Sequence, residues 1–156
     1  VTHGLGIWLG VAPLAALEIF AGYTFVEPIE ERGASATARL RRHPVHAGAR
    51  LGVTHGRIAL RFSLAVVLDY ATVEALDLST GMVPLDDGGD LLVAALPALE
   101  LAVELVDRLE LYLAIGVEIG LRTVRYEAET ATGLETLVEP WPAMPWLSIG
   151  YLFDLV

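Results

Sequence analysis

The chain is first described by what it lacks. Its 156 residues include no cysteine, so no disulfide can form, and this fits an oxidising envelope compartment where free thiols are a hazard. No apolar run approaches the 18 or more residues that a membrane-spanning helix needs. Basic residues are also scarce, at 10 against 20 acidic ones, and the net charge of −10 argues against nucleic-acid binding.

Apolar residues are nevertheless abundant. They make up 54% of the chain, and the mean hydropathy is +0.56. A chain this apolar without a spanning helix is expected when polar residues interrupt the apolar ones at every second position. That arrangement is typical of a β-barrel whose outer face contacts lipid.

Segment 57–70 shows the alternation most clearly. Its even positions are all apolar, from Ile58 to Tyr70, whereas its odd positions are small or charged, among them Arg61 and Asp69. Side chains alternate across a strand, so each set occupies one face. The charged face recurs in nearly every strand-like segment and carries more ionised groups than a soluble core could hold. We therefore predict apolar residues outside and polar residues inside.

The same alternation predicts one domain over 1–156, an all-β transmembrane antiparallel up-and-down barrel. The predicted strands are 4–11, 14–27, 36–53, 57–73, 91–105, 109–127 and 143–155. Short turns are expected near 12–14, 54–57 and 106–108, and long polar loops near 27–36, 73–90 and 127–142. Outer-membrane barrels have short periplasmic turns and longer outer loops, so this asymmetry orients the chain.

Turn residues support the strand assignment. His55-Gly56 is a two-residue turn of the kind that needs positive φ, and it changes the outward residues from odd to even positions. Val106-Asp107-Arg108 reads as a three-residue loop that keeps the parity.

A helical hairpin over 91–121 is the leading alternative, because alanine, leucine and glutamate favour helices. Seven alternating apolar positions in 109–121 argue for strand.

The C-terminal segment has the pattern of a polar residue, glycine, then two hydrophobic positions. Ser148, Gly150, Phe153 and Leu155 occupy these positions. This segment resembles the β-signal by which outer-membrane barrels are delivered to the barrel-insertion machinery. In size and hairpin pattern the chain resembles the small eight-stranded bacterial outer-membrane barrels, the family of the OmpA transmembrane domain and OmpX. The resemblance implies a bacterial outer-membrane location and eight strands in the intact protein, one more than the seven predicted here.

Charged residues at inward positions form the candidate functional site. They are Glu18, Arg50, Arg57, Arg61, Asp69, Glu100, Glu104, Glu110, Glu118, Arg122 and Asp154. An eight-stranded barrel is just wide enough for its side chains to fill, and buried charges must be paired or hydrated. We expect Arg61 and Arg122 to pair with Glu18, Glu100 and Glu118 in a plug. The alternative is a narrow channel that favours cations, because inward acids outnumber inward bases.

We expect a structural or surface-interaction protein rather than an enzyme, with no cofactor. Barrel lipid deacylases resemble one another in a His-x-Ser pair, and none of the four histidines has serine two positions later. Asp86, Asp87 and Asp90 are a weak calcium candidate, because they lack the full EF-hand spacing and an acidic solvated loop is the simpler explanation. Arg39, Arg41 and Arg42 could contact lipopolysaccharide phosphates or pair with the acidic residues of segment 27–31.

Aromatic residues near the strand ends suggest a membrane-interface girdle. They are Tyr23, Phe25, Tyr70, Tyr126, Trp141 and Trp146.

Overall fold

The computed structural model describes residues 4–14, 16–32, 36–78, 83–84, 89–122, 126–130, 133–138 and 142–153, and nearly all of them lie in antiparallel strands. The strands are β1 (Gly4–Leu14), β2 (Leu17–Val26), β3 (Ile29–Arg32), β4 (Ala36–His55), β5 (Ile58–Leu78), β6 (Val83–Pro84), β7 (Gly89–Val106), β8 (Leu109–Gly120), β9 (Tyr126–Thr130), β10 (Gly133–Val138) and β11 (Ala143–Phe153). The main sheet has the up-and-down order β1-β2-β4-β5-β7-β8-β11, and β3 pairs with β4 beside it. No helix within these ranges is long and apolar enough to cross a membrane.

All seven predicted strands are present in the main sheet, but the predicted strand 109–127 was too long, because β8 ends at Gly120 and residues 126–127 belong to β9. The helical alternative for 91–121 is wrong, because β7 and β8 form an antiparallel hairpin there. The first turn was misplaced: β1 continues to Leu14, and Leu14 pairs with Leu17. The predicted loops also contain strands that the sequence analysis missed, since β6, β9 and β10 form a separate three-stranded sheet.

The β4–β5 and β7–β8 turns determine whether odd or even positions point outward in the strand that follows. Gly56 and Arg57 connect β4 to β5, one residue later than predicted, and Gly56 has a φ of 60°. Asp107 and Arg108 connect β7 to β8, and a register shift precedes them between Glu104 and Val106. The shift adds one residue to β7, so the outward residues remain at odd positions across this turn.

The main sheet carries its apolar side chains on the convex, exposed face. At least 33 large apolar residues are exposed, including alternate positions from Ile58 to Tyr70 on β5. The buried apolar residues are fewer and mostly alanine, and the buried residues also include Arg42, Arg50, Asp69 and Glu100. Polarity is therefore inverted relative to a soluble sheet protein, as the alternation predicts.

The sheet curls strongly but does not close. Arg42 on β4 reaches Glu118 on β8, three strands along the sheet, so the concave face encloses an interior that we call the lumen. The edge strands β1 and β11 are not paired with each other within the described residues. A cleft of about 1610 Å³ opens between them. The structure is thus an open, curled antiparallel sheet and not the closed barrel that was predicted.

The β4–β5 turn provides a test of the backbone assignment. We expect Gly56→Ala to lower the free energy of unfolding in urea by about 1–2 kcal/mol, because an L-residue resists positive φ. An added Cβ there meets no atom within 4 Å, so crowding would not contribute. Gly120→Ala is the control, since Gly120 has no positive φ and its nearest neighbour would lie at 3.6 Å. Equal unfolding midpoints for the two variants would contradict the turn geometry.

Candidate functional site

The inward face of the main sheet carries a series of ion pairs, which we call the charge ladder. It consists of three arginines, Arg42, Arg50 and Arg61, and their carboxylate partners on other strands. Alternation along β4, β5, β7 and β8 turns all of these side chains into the lumen. The ladder therefore follows directly from the strand pattern.

The first cluster of the ladder is centred on Arg42. Its Nε donates a hydrogen bond to Asp69 Oδ2, and its Nη2 donates one to Glu118 Oε1 at 2.6 Å. Asp69 also accepts a hydrogen bond of 2.8 Å from the backbone N–H of His43. The side chains of Arg42 and Asp69 are only 9% and 2% exposed. One guanidinium thus compensates two carboxylates where little water can reach them.

Arg42 was assigned wrongly from the sequence, as a residue that contacts lipopolysaccharide. Its position shares the parity of Arg50, which was predicted to face inward. Extending that parity eight residues toward the start of β4 would have placed Arg42 in the lumen. The run of basic residues at 39–42 obscured the alternation.

The second cluster is centred on Arg50. Its Nη1 donates a hydrogen bond to Glu100 Oε2 at 3.0 Å, and its Nε lies 3.3 Å from Glu18 Oε2. The Nε contact is an ion pair without hydrogen-bond alignment, since Nε has no hydrogen-bond partner in the described structure. The guanidinium also lies 4.8 Å from the centre of the Phe20 ring, a favourable cation–π distance.

The third pair joins Arg61 to Glu110. Nη2 donates a hydrogen bond of 3.0 Å to Glu110 Oε1, whereas Nη1 lies 2.7 Å from Oε2 as an ion pair without hydrogen-bond alignment. The predicted partners of Arg61 were wrong, because Glu18 and Glu100 pair with Arg50 and Glu118 pairs with Arg42. Inward position could be read from the sequence, whereas partner choice depends on the stagger between strands.

Some predicted members lie outside the ladder. Arg122 is 62% exposed at its side chain and 4.0 Å from Asp90, so its expected place deep in the lumen is corrected. Arg57 is an exposed turn residue. Glu104 faces Glu110 across the β7–β8 pair, and no salt bridge joins it to a cation within the described part of the chain. Asp154 lies outside the described residues.

Aromatic side chains fill the lumen between the charged clusters. Trp8 packs against Phe20 and His46, with ring centres 5.6 Å and 4.7 Å apart. His46 Nε2 lies 3.2 Å from Thr24 Oγ1. A cavity of about 30 Å³ lies beside Phe20, Arg50 and Trp146. A much larger cleft of about 1610 Å³ is also lined by Arg50 and Trp146 and extends to β1 and β11, so side chains fill the lumen only in part.

The outer end of β4 carries the exposed part of the basic cluster. Arg39 lies 2.7 Å from Glu30 and 3.7 Å from Glu74, and Arg41 lies 3.3 Å from Glu74. The hydrogen bond to Glu30 raises the pKa of Arg39, so this guanidinium stays charged. Pairing with Glu30 agrees with the predicted alternative of contacts to the acidic segment. Arg41 keeps half of its side chain exposed.

The remaining predicted residues are placed as follows. Asp90 begins the inward row of β7 near Arg122, whereas Asp86 and Asp87 lie outside the described residues. In the β-signal pattern, Ser148 Oγ lies 3.1 Å from the Tyr112 hydroxyl, and Gly150 lies beneath the Tyr112 ring. Phe153 ends β11, and Leu155 lies outside the described residues.

Three of the aromatic residues predicted to form a girdle are exposed. Tyr23, Phe25 and Tyr70 are exposed on the outer face, at the loop end of their strands. Trp146 instead packs inward against the cluster around Phe20, so its assignment to the girdle is corrected. Of the two other predicted members, the side chain of Tyr126 and the whole of Trp141 lie outside what is described.

Removing the central guanidinium tests the ladder. We expect Arg42→Met to lower the free energy of unfolding by about 3–5 kcal/mol, because Asp69 and Glu118 are left as unpaired buried charges. The exposed neighbour supplies a control, since Arg41→Met should change stability by about 0–1 kcal/mol. Adding Glu118→Gln to Arg42→Met should recover part of the loss. Equal effects of the two arginine substitutions in urea unfolding would show that the Arg42 cluster is solvated.

Comparison with known proteins adds no functional assignment. No family model, no curated protein and no solved structure matches this chain. The function must therefore be inferred from the fold and the ladder.

Proposed function

We propose that this chain is an integral β-barrel protein of a bacterial outer membrane. Because its lumen charges are largely paired, we propose a structural or surface-interaction protein, which displays acidic outer loops or joins an envelope assembly. The observation that carries the proposal is the inverted polarity of the main sheet: large apolar side chains lie outside, and paired charges lie inside. Soluble monomers rarely expose continuous apolar patches larger than a few hundred Å².

The size of the apolar face supports a membrane setting. On β5 the exposed apolar row runs from Ile58 to Tyr70 without a charged outward residue. At about 3.3 Å per residue this row is about 40 Å long, or about 30 Å high when the strand tilts by about 40°. A hydrocarbon core is about 30 Å thick. The exposed Tyr23, Phe25 and Tyr70 then lie at one interface, where aromatic side chains are favoured.

The paired charges of the lumen favour a plug over a channel. Arg50 is held between Glu18 and Glu100, and the Phe20 ring packs against it. Two features favour the alternative, a small channel that prefers cations: inward acids outnumber inward bases, and a cleft of about 1610 Å³ is open beside Arg50.

Two contacts with the envelope follow from the proposed location. Arg41, and in part Arg39, present guanidinium groups at the outer end of β4, where lipopolysaccharide phosphates would lie. The end of β11 carries Ser148, Gly150 and Phe153 in the pattern through which the insertion machinery would bind the chain. The partners we propose are therefore the lipid bilayer, lipopolysaccharide and the insertion machinery.

Adjacent substitutions on β8 test the membrane-facing surface. Leu113 is exposed on the outer face, whereas its neighbour Tyr112 lines the lumen cleft. We expect Leu113→Arg to lower the stability of the protein folded into lipid vesicles by about 2–4 kcal/mol, because the arginine enters hydrocarbon. Tyr112→Arg conserves size and places the charge near Glu104 and Glu110, so we expect a smaller loss. Equal tolerance, or the reverse order, would contradict the membrane placement.

Conductance in planar bilayers separates the plug from the channel. We expect no steady single-channel steps from the unmodified protein. Arg50→Ala removes the guanidinium that fills the middle of the lumen, so we expect it to produce ion leakage. Arg41→Ala, at the outer end of β4, is the control and should remain silent. Voltage-stable steps from the unmodified protein would overturn the plug and favour the cation channel.

A further inference from the structure

The strongest unexplained feature is the open seam between β1 and β11. Each of these strands is paired on one side only in the described structure, with β2 and β8 respectively. Their outward residues are among the most exposed of the sheet, with Leu9 at 69% and Ile149 at 72%. An unpaired strand edge is a template for another strand, and within hydrocarbon every backbone polar group must be paired.

The strand directions determine what can fill the seam. Six successive antiparallel pairings connect β1 to β11, so the two edge strands run parallel to each other. One strand inserted between them is antiparallel to both, which continues the up-and-down pattern. Direct pairing of β1 with β11 would instead be parallel. A second copy in the same membrane orientation could also offer only parallel pairing of β1 with β11, which is slightly less stable per residue.

The inner surface of the seam determines which side chains such a strand should carry. Both edges have glycine at inward positions, and neighbouring side chains lean over them. A Cβ on Gly10 would lie 2.0 Å from Glu18 Oε1, and one on Gly150 would lie 2.9 Å from the Tyr112 ring. The Glu18 carboxylate therefore extends across β1 toward the seam, where its side chain is 30% exposed.

The net charge of the lumen indicates which charge the inward side chains of an inserted strand should carry. Three arginines of the ladder stand against six inward carboxylates: Glu18, Asp69, Glu100, Glu104, Glu110 and Glu118. This leaves three negative charges in excess. Four of these acids, Glu18, Glu104, Glu110 and Glu118, line the cleft of about 1610 Å³ beside the seam together with all three ladder arginines. This leaves Glu104 as the acid of this set without an arginine partner in the described structure. Basic, bulky inward side chains would fill this volume and neutralise the excess.

We infer that the seam binds one β-strand from outside residues 1–156, antiparallel to both β1 and β11. Its length matches the 11 residues of each edge strand. Its outward side chains are apolar, and its inward side chains are large and include arginine or lysine. The inference deepens the proposed function and rests on it for the apolar outer face, because that face is apolar only where lipid covers it.

The absence of cysteine makes the inference directly testable by disulfide cross-linking. The probe is a set of 11-residue peptides that alternate leucine with arginine and tyrosine, each with one leucine replaced by cysteine. The protein is folded into vesicles as Leu9→Cys, Ile149→Cys or Leu64→Cys. All three sites face outward, but Leu64 lies on β5, which is paired on both sides. Circular dichroism checks that each variant folds.

We expect the Leu9 and Ile149 variants each to cross-link to one peptide register at least tenfold more than the Leu64 variant. A peptide of equal composition without alternation should fail to cross-link. Glu18→Gln in the Leu9→Cys protein should lower the yield severalfold with the arginine peptide, but not with a peptide that carries threonine instead. These results would support a basic, alternating strand in the seam.

Other occupants give different products. Direct closure would form an intramolecular disulfide in the Leu9→Cys/Ile149→Cys double variant without peptide. A second copy would form protein dimers between the Leu9→Cys and Ile149→Cys proteins, and nonspecific peptide adsorption would label all three sites equally. Any of these results would overturn the inference. Failure of the seam is distinguishable from failure of the membrane proposal, because the Leu113 and Tyr112 variants report lipid insertion without any added strand.

Discussion

The contact of Arg42 with Asp69 and Glu118 is the interaction on which the curled architecture most depends. It joins β4 and β5 to β8 across the lumen. It therefore keeps β4 and β8, which are separated by β5 and β7 in the sheet, within reach of one arginine side chain. Breaking a buried ion pair leaves an uncompensated charge, which is much more costly than loss of a surface pair. The sheet can therefore flatten only by exposing carboxylates that its curvature now keeps paired.

Small residues make that curvature possible. Alanine and glycine occupy most inward positions that are not charged, and long arginine and aromatic side chains cross the space above them. Gly48 and Gly52 on β4 illustrate this packing, because a Cβ at either position would collide with β5. The outer face instead carries large side chains, since leucine, isoleucine and valine cover it at alternate positions. Together the two faces explain why the composition is strongly apolar although no helix in the described ranges is long and apolar enough to cross a membrane.

Much of the main sheet could be predicted from local patterns. Alternation of side chains is a property of each strand alone, so the outward and inward rows of β5, β7 and β8 were correctly predicted. Partner choice was not predictable, because Arg61 meets Glu110 rather than Glu100 only through the stagger of three strands. Arg42 was missed because a run of arginines masked its parity. The short strands β6, β9 and β10 were missed because their segments are polar and irregular, and their pairing joins distant loops. Closure was predicted from the alternation, but alternation is a property of each strand alone and does not show whether two sheet edges meet.

The central claim is that β5 separates lipid on one side from a packed, charged lumen on the other. Spin labels on single cysteines at each position from 58 to 70, in protein folded into vesicles, test it most directly. Collisions with oxygen, which concentrates in hydrocarbon, should peak at the even positions and fall at the odd ones, where Ser63, Val67 and Asp69 are buried. Collisions with a water-soluble nickel complex should stay low across the middle of the strand. Oxygen and nickel accessibility without a two-residue period, or nickel accessibility that is high at the even positions, would contradict the account.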